Sequence, residues 1–377
     1  ERTADHLSAL ADAVLRLVME QAWNASPARH REAPKVAAVG YGKLGGKELG
    51  YASDLDLVFL FEDDAPEAAS VYARFVRRVI SWLTVQTSSG KLYSVDTRLR
   101  PEGHDGLLVC SFEHFKHYQE STEGAWVWEH QALTRARFCA GDIELGKAFE
   151  AERTRILCRP RETRAVQSAV VAMRRKILES CKNTSGLFDL KRDRGGMLDV
   201  EFAVQTLVLT KAHRYPQLTR NLGNSSLLAM SAELGLIPNA IAEGSIRAYR
   251  TYRDIQRMTR LNLGENTPVR VAPEKLRAEK EGGKDFTAPT RSRFGVKEPG
   301  FFKSGKGIGR KHLSPLVTVV TGCVAAGEDM GKRLRKAVVF FVGSHGNKMS
   351  NVTQNLGIVR VLFRVNAHVK ERKFQLP

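Results

Sequence analysis

Residues 55–61 read Leu-Asp-Leu-Val-Phe-Leu-Phe, an apolar run with the length and composition of a core strand. Yet the run is entered through Asp54 and carries Asp56, and core strands avoid charge. Side chains two residues apart on a strand leave the same face about 7 Å apart. Asp54 and Asp56 therefore project together, while Leu55 and Leu57 turn into the core. A fold that accepts this segment must bury one face of the strand and leave two carboxylates accessible on the other. Two such carboxylates suit a pair of divalent cations about 4 Å apart. Hard oxygen donors select Mg²⁺ or Mn²⁺.

The neighbouring stretches fit that chemistry. Residues 92–99 read as another strand. On it Asp96, Arg98 and Arg100 share one face, and Val95, Thr97 and Leu99 the other. The carboxylate would complete a metal shell or activate an attacking hydroxyl, and the arginines would offset phosphate charge. Upstream, Gly42, Gly45 and Gly46 leave backbone N–H groups open to phosphate oxygens, with Lys43 and Lys47 adding charge. The spacing is not that of a Walker loop. Each feature also has a plainer reading: a solvated strand edge, a simple turn, a structural ion pair between Asp96 and Arg98. In this order and at strand-compatible spacing, the three together point to catalysis.

Periodicity divides the chain. Residues 7–22 repeat at helical spacing, Val36–Val39 is a short strand, and Pro66 opens a helix carrying Tyr72, Phe75, Val76 and Val79. Residues 125–136 read as helix. Beyond about 150 come four amphipathic stretches: Val166–Ile177, Val200–Lys211, Leu227–Leu234 closed by Gly235 and Pro238, and Ile241–Ile255. No strand signal is found from 160 to 265. The expected fold is α+β, an early mixed sheet with helices followed by an all-α helical bundle.

The net charge of +18 invites a nucleic-acid reading, but its location argues against one. Residues 282–377 hold 18 Lys and Arg against 5 Asp and Glu, a balance of +13 that leaves only +5 for the part with motifs. No apolar run approaches the ~20 residues of a membrane span. Cys110, Cys139, Cys158, Cys181 and Cys323 show no paired spacing, as expected of reduced thiols in a cytoplasmic protein. The chain opens on Glu1 rather than Met, as a fragment would.

The Gly-Lys pattern followed by Asp-apolar-Asp resembles the polymerase-β-like nucleotidyltransferases. At finer grain, VGYGKLGGKELGYASDLDLVFL, SSGKLYSVDTRLRPEGHDGLLV, AWVWEHQALTRARFCAGD and FDLKRDRGGMLDVEFAVQTLVL resemble the glutamine synthetase adenylyltransferase family, over residues 1 to about 280. They are most similar to the C-terminal, adenylylating half of that two-part enzyme. The resemblance implies transfer of AMP from ATP to a tyrosine of glutamine synthetase with release of pyrophosphate, in the service of nitrogen metabolism. It implies two Mg²⁺ ions on Asp54, Asp56 and Asp96, and nucleotide contacts from Gly42, Lys43, Gly45, Gly46, Ser53, Arg98 and Arg100. It implies the PII signal protein and glutamine as regulators, and neither nucleic acid nor membrane as partner. The alternatives are another nucleotidyltransferase of the same superfamily, such as the PII uridylyltransferase, and an inactive fragment that only binds glutamine synthetase.

The corresponding division is 1–150 for a nucleotidyltransferase domain with an N-terminal helix, 151–281 for the bundle, and 282–377 for a basic Gly/Lys-rich tail. The tail is unlike the family; a shifted reading frame or a mis-joined, disordered segment explains it, and a genuine appended basic domain is the alternative. Lys191, Asp199 and Glu201 either face the nucleotide or serve a turn and helix start. Trp126, Trp128 and Phe138 fit core aromatics better than an adenine shelf, and Arg135 and Arg137 fit either role. His104-Asp105 and the near-P-loop at 300–307 lack the structural context their motifs need.

Overall fold

A computed structural model of the chain describes residues 2–88, 90–103, 106–121, 127–263 and 268–272, without the side chains of 262 and 263. The expectations for Trp126, His104-Asp105, Cys323 and everything beyond 272 lie outside these residues. The elements run α1 (Arg2–Asn24), β1 (Val36–Gly40), α2 (Gly42–Gly45), β2 (Leu55–Phe61), α3 (Ala68–Thr84), β3 (Val95–Asp96), β4 (Cys110–Ser111), α4 (Phe112–Glu120) and α5 (Val127–Leu133). They continue with β5 (Arg137–Gly141), α6 (Ile143–Leu157), α7 (Thr163–Ser180), β6 (Phe188–Asp189), α8 (Met197–Lys211), α9 (Asn224–Glu233), α10 (Asn239–Leu263) and β7 (Arg270–Val271).

The molecule is α+β. Its main sheet has the order β3-β2-β1-β5, with β4 pairing the far end of β2. β1 runs antiparallel to β2 and β5, while β3 and β4 lie parallel to β2, so the sheet is mixed. Alternation sorts its side chains onto two cores. Leu55, Leu57, Phe59 and Phe61 face α1 and α3, packing on Leu15, Trp23, Tyr72 and Phe75. Val58 and Leu60 face the other way, with Ala37 and Val39, onto Phe115, Phe149, Val170, Val208 and Leu228. Because both faces of β2 are covered, it reads as an almost unbroken apolar run. Asp56 points with Val58 and Leu60, toward the helices.

Those helices share the sheet's own core. Val166, Val170, Val204, Val208, Leu209 and Leu227 join one apolar cluster with β1 and β2, across the expected boundary at 150. The wholly buried Arg153 adds a polar clasp, donating to the carbonyls of Leu133, Thr134 and Thr219 at 3.1, 3.0 and 2.8 Å.

Several expected elements change shape. The third strand is two residues long, not eight, because the chain turns at Thr97–Arg100, where the Arg100 N–H bonds the Thr97 carbonyl. The glycine segment is a four-residue helix rather than an irregular loop. A short β6–β7 ladder lies where no strand was expected. On α10 the buried positions are Ala242, Tyr249 and Ile255, whereas Ile241 is 60% exposed. Gly235 does close α9, in the left-handed conformation at φ +68°. Among the described residues no helix is long and apolar enough to cross a membrane, and Cys110, Cys139, Cys158 and Cys181 are free thiols.

Candidate active site

Register explains the acidic cluster. β2 and β3 pair in parallel, with Leu55 opposite Val95 and Asp56 opposite Asp96. Asp54 leaves the chain just before β2. Carboxylate oxygens of Asp54, Asp56 and Asp96 lie within 4.8 Å of one another, the first exposed and the other two half-buried. Burial, followed by the charges of Asp54 and Asp96, pushes the Asp56 carboxyl up to about 6. Three hard oxygen donors that repel one another suit a divalent cation, whose charge would relieve that repulsion. The donor set therefore fits Mg²⁺.

The glycines serve close approach. Gly42 adopts φ +54°, and a Cβ there would stand 2.3 Å from Asp56 Oδ2. The Tyr41 N–H donates to the Asp56 carbonyl at 2.9 Å, so the chain before Gly42 is stitched to β2. A Cβ on Gly45 would meet the Arg135 carbonyl at 1.8 Å, and one on Gly46 would meet the Arg135 guanidinium at 2.7 Å. The N–H groups of Gly45 and Gly46 are not open, contrary to the reading from sequence. They donate to Tyr41 and Gly42 carbonyls at 2.9 and 3.1 Å.

The expected cations divide similarly. Arg98 forks onto Asp96, with Nε 3.0 and 2.8 Å from the two oxygens, while the Arg98 N–H reaches Oδ1 at 2.9 Å. Arg98 and Arg100 do not share a strand face with Asp96, because β3 has already ended. Arg100 donates to the carbonyls of Gly106 and Thr97 at 3.0 and 2.8 Å, shaping its own loop. Ser53 Oγ accepts from the Gly50 N–H at 3.2 Å. Lys43 lies in the field of the carboxylates. Burial pushes its ammonium down to about 8, with Arg260 and Lys191 lowering it further and Glu201 and Asp54 opposing them. Among the described residues, none of Lys43, Lys191 and Arg260 forms an ion pair within 4 Å.

Of the undecided residues, Asp199 is structural: it binds Arg174 and accepts from the Gly195 N–H at 2.5 Å. Lys191 acts electrostatically on Asp56 and Lys43. Glu201 Oε1 lies 3.2 Å from the Tyr249 hydroxyl. Phe138 packs on the core, Trp128 is 41% exposed, and Arg137 forks onto Asp12 with two 2.8 Å bonds. Sequence reasoning missed Glu48, Asn224, Tyr249, Arg253 and Arg260, which no motif marks. A cavity of about 550 Å³ runs along α10, lined in part by Lys43, Ser53, Glu201, Arg253 and Arg260; none of the three clustered aspartates lines it.

Residues 1–152 match the family profile of glutamate-ammonia ligase adenylyltransferase. Over those residues the chain is similar to that family. It is 53% identical over 281 residues to the bifunctional glutamine synthetase adenylyltransferase/adenylyl-removing enzyme of Aromatoleum aromaticum, covering 74% of this chain and 29% of the relative. The enzyme of the same name from Ralstonia nicotianae is 55% identical over 264 residues, covering 70% and 28%. That of Burkholderia mallei is 50% identical over 285 residues, covering 74% and 31%. The chain thus spans about 30% of the length of these curated family members.

Proposed function

We propose that this chain is an adenylylating segment that transfers AMP from ATP to a tyrosine of glutamine synthetase, with release of pyrophosphate. The observation that carries the reading is the cluster of Asp54, Asp56 and Asp96 on adjacent parallel strands, in a chain similar to adenylyltransferases. We assign residues 1–150 to a polymerase-β-like nucleotidyltransferase domain and 151–281 to a helical bundle. PII and glutamine remain the proposed regulators, and the cytoplasm the proposed compartment.

Asp54, Asp56 and Asp96 would hold Mg²⁺, which when bound neutralises phosphate charge and favours ionisation of the acceptor hydroxyl. The acceptor phenol has an ordinary pKa of ~10 and is a weak nucleophile at neutral pH. An Asp96 oxygen would accept its proton as the phenol oxygen attacks the α-phosphorus and the bond to the β-phosphate oxygen breaks. Lys43, Lys191 and Arg260, which form no ion pair among the described residues, would bind the departing pyrophosphate. Arg98 would release Asp96 and turn to the same phosphates. Gly42, Gly45, Gly46 and Ser53 shape the wall against which the nucleotide lies, and Arg100 holds the loop beside it.

The test is the mass of glutamine synthetase after incubation with this chain, ATP and Mg²⁺. A gain of one AMP per subunit is expected. No gain, with UMP transfer to PII from UTP instead, would replace the reading with the uridylyltransferase alternative.

A further inference from the structure

A second acidic residue commands this region without belonging to the cluster. Glu48 is 6% exposed and lies in the loop just after the glycines. Its side chain takes four hydrogen bonds and one ion pair. Oε1 pairs with the Arg253 guanidinium and accepts from the Asn224 N–H, both at 3.0 Å. Oε2 accepts from Arg135, Asn224 Nδ2 and the Tyr249 hydroxyl at 2.7, 2.8 and 2.9 Å. Burial alone would push the carboxyl up, but Arg135 and Arg253 hold it below the usual range.

This knot reaches the acid cluster through one residue. Arg135, paired to Glu48, donates Nε to the Gly42 carbonyl at 3.0 Å. Gly42 is the residue packed directly against the Asp56 carboxylate. From the other side, α10 grips the loop backbone: Arg253 donates to the Glu48 carbonyl at 3.0 Å and Arg260 to the Ala52 carbonyl at 3.3 Å. Beside those grips Lys47 and Ala52 both take φ +52°, which non-glycine residues adopt only under constraint from their surroundings. Gly223 leaves room for the hub, since a Cβ there would lie 3.1 Å from Glu48 Oε1.

We propose that Glu48 and Arg135 are positioning residues for the acid site: they lock the Gly42 backbone against Asp56 and tie it to α9 and α10. The helices after residue 220 thereby set the geometry of a carboxylate on β2. This rests on the metal reading above for its consequence, but not for the linkage itself.

The test uses the full chain, with Mn²⁺ as the metal probe. Arg135→Lys keeps a cation for Glu48 but loses the fork that also holds Gly42. Glu48→Gln keeps shape and removes charge. Substituting a residue that orients metal ligands costs about 10- to 100-fold in affinity, so both should weaken Mn²⁺ binding by about tenfold or more. They should lower kcat while leaving KM for glutamine synthetase near its starting value. Both should speed amide exchange at Tyr41 and at residues 45–48, leaving α3 unchanged. Tyr249→Phe, which removes one hydrogen bond of four, should do the same more weakly. Val170→Ala, a cavity variant in the shared core, should lower thermal stability without altering Mn²⁺ affinity or exchange in that loop.

If Glu48→Gln fails to fold, Arg135→Lys and Tyr249→Phe decide the matter. Folded Arg135→Lys with unchanged loop exchange would overturn the linkage. If the wild-type chain binds no Mn²⁺, or binds it equally after Asp54→Asn, the metal reading fails, and loop exchange alone judges the hub.

Discussion

Glu48 and the Asp54–Asp56–Asp96 cluster are neighbours built on opposite plans. One carboxylate is buried and satisfied by five donors from four residues. Three carboxylates nearby are crowded together at the edge of solvent, with Asp56 pushed up by burial first and then by the charges of the other two. A fully paired buried charge serves structure, because breaking it strands its partners. A cluster of like charges costs stability and persists where something else brings the opposite charge. Position relative to the donors, not residue type, separates the satisfied acid from those proposed for the chemistry.

The largest expected effect tests the chemical half of that contrast. Asp54→Asn or Asp56→Asn should lower AMP transfer about 10³-fold or more, the scale of losing a metal ligand. The same changes should leave thermal stability unchanged or raise it, since they relieve repulsion. Transfer assays paired with thermal melts would check both, and activity within tenfold of wild type would break the contrast.

Glu48→Ala should do the reverse and lower folding stability by about 3–5 kcal/mol, the usual cost of stranding buried partners. Denaturant titration would measure it. A change as small as that of a surface carboxylate would mean that the four hydrogen bonds and the ion pair contribute little.

His130 represents a third plan, a buried group kept neutral. Burial pushes its imidazole down to about 4, with Arg161 adding to the effect, and Nε2 donates to the Gln119 carbonyl at 3.2 Å. A folded value below the ordinary 6.5 means that stability is complete above about 6.5 and is lost as pH falls toward 4. By linkage the loss at pH 5 is about 2 kcal/mol. Replacing His130 with Gln should flatten that part of the stability–pH curve, as thermal melts between pH 7.5 and 5 would show.

The smallest effect sorts the strand-end pair. Asp96→Ala should impair transfer severely, whereas Arg98→Ala, which removes an exposed guanidinium, should cost about tenfold or less. An inactive Arg98→Ala beside an active Asp96→Ala would reverse their roles.

What the sequence disclosed follows from distance along the chain. β1, β2 and the long helices were legible because periodicity is local, and Asp54 with Asp56 were legible because they stand two residues apart on a strand. Asp96 was found by its setting, although the strand assigned to it was four times too long; nothing local announces the turn at Thr97. Arg100 was placed on a strand face it does not share with Asp96 for the same reason. The glycines were noticed but credited with binding anions, because the residues they admit, Asp56 and Arg135, enter from other elements. The Glu48 hub was invisible, since its partners lie 87 to 205 positions away.

That separation has a consequence for how the molecule is made. On a ribosome, all three clustered aspartates and the strands that carry them are complete long before Arg253 is synthesised. A nascent chain at that stage holds Glu48 with Arg135 but lacks Asn224, Tyr249 and Arg253, so the glycine turn has no outer clasp. The acidic cluster is therefore present early but takes its working shape only when the last long helix closes over the loop.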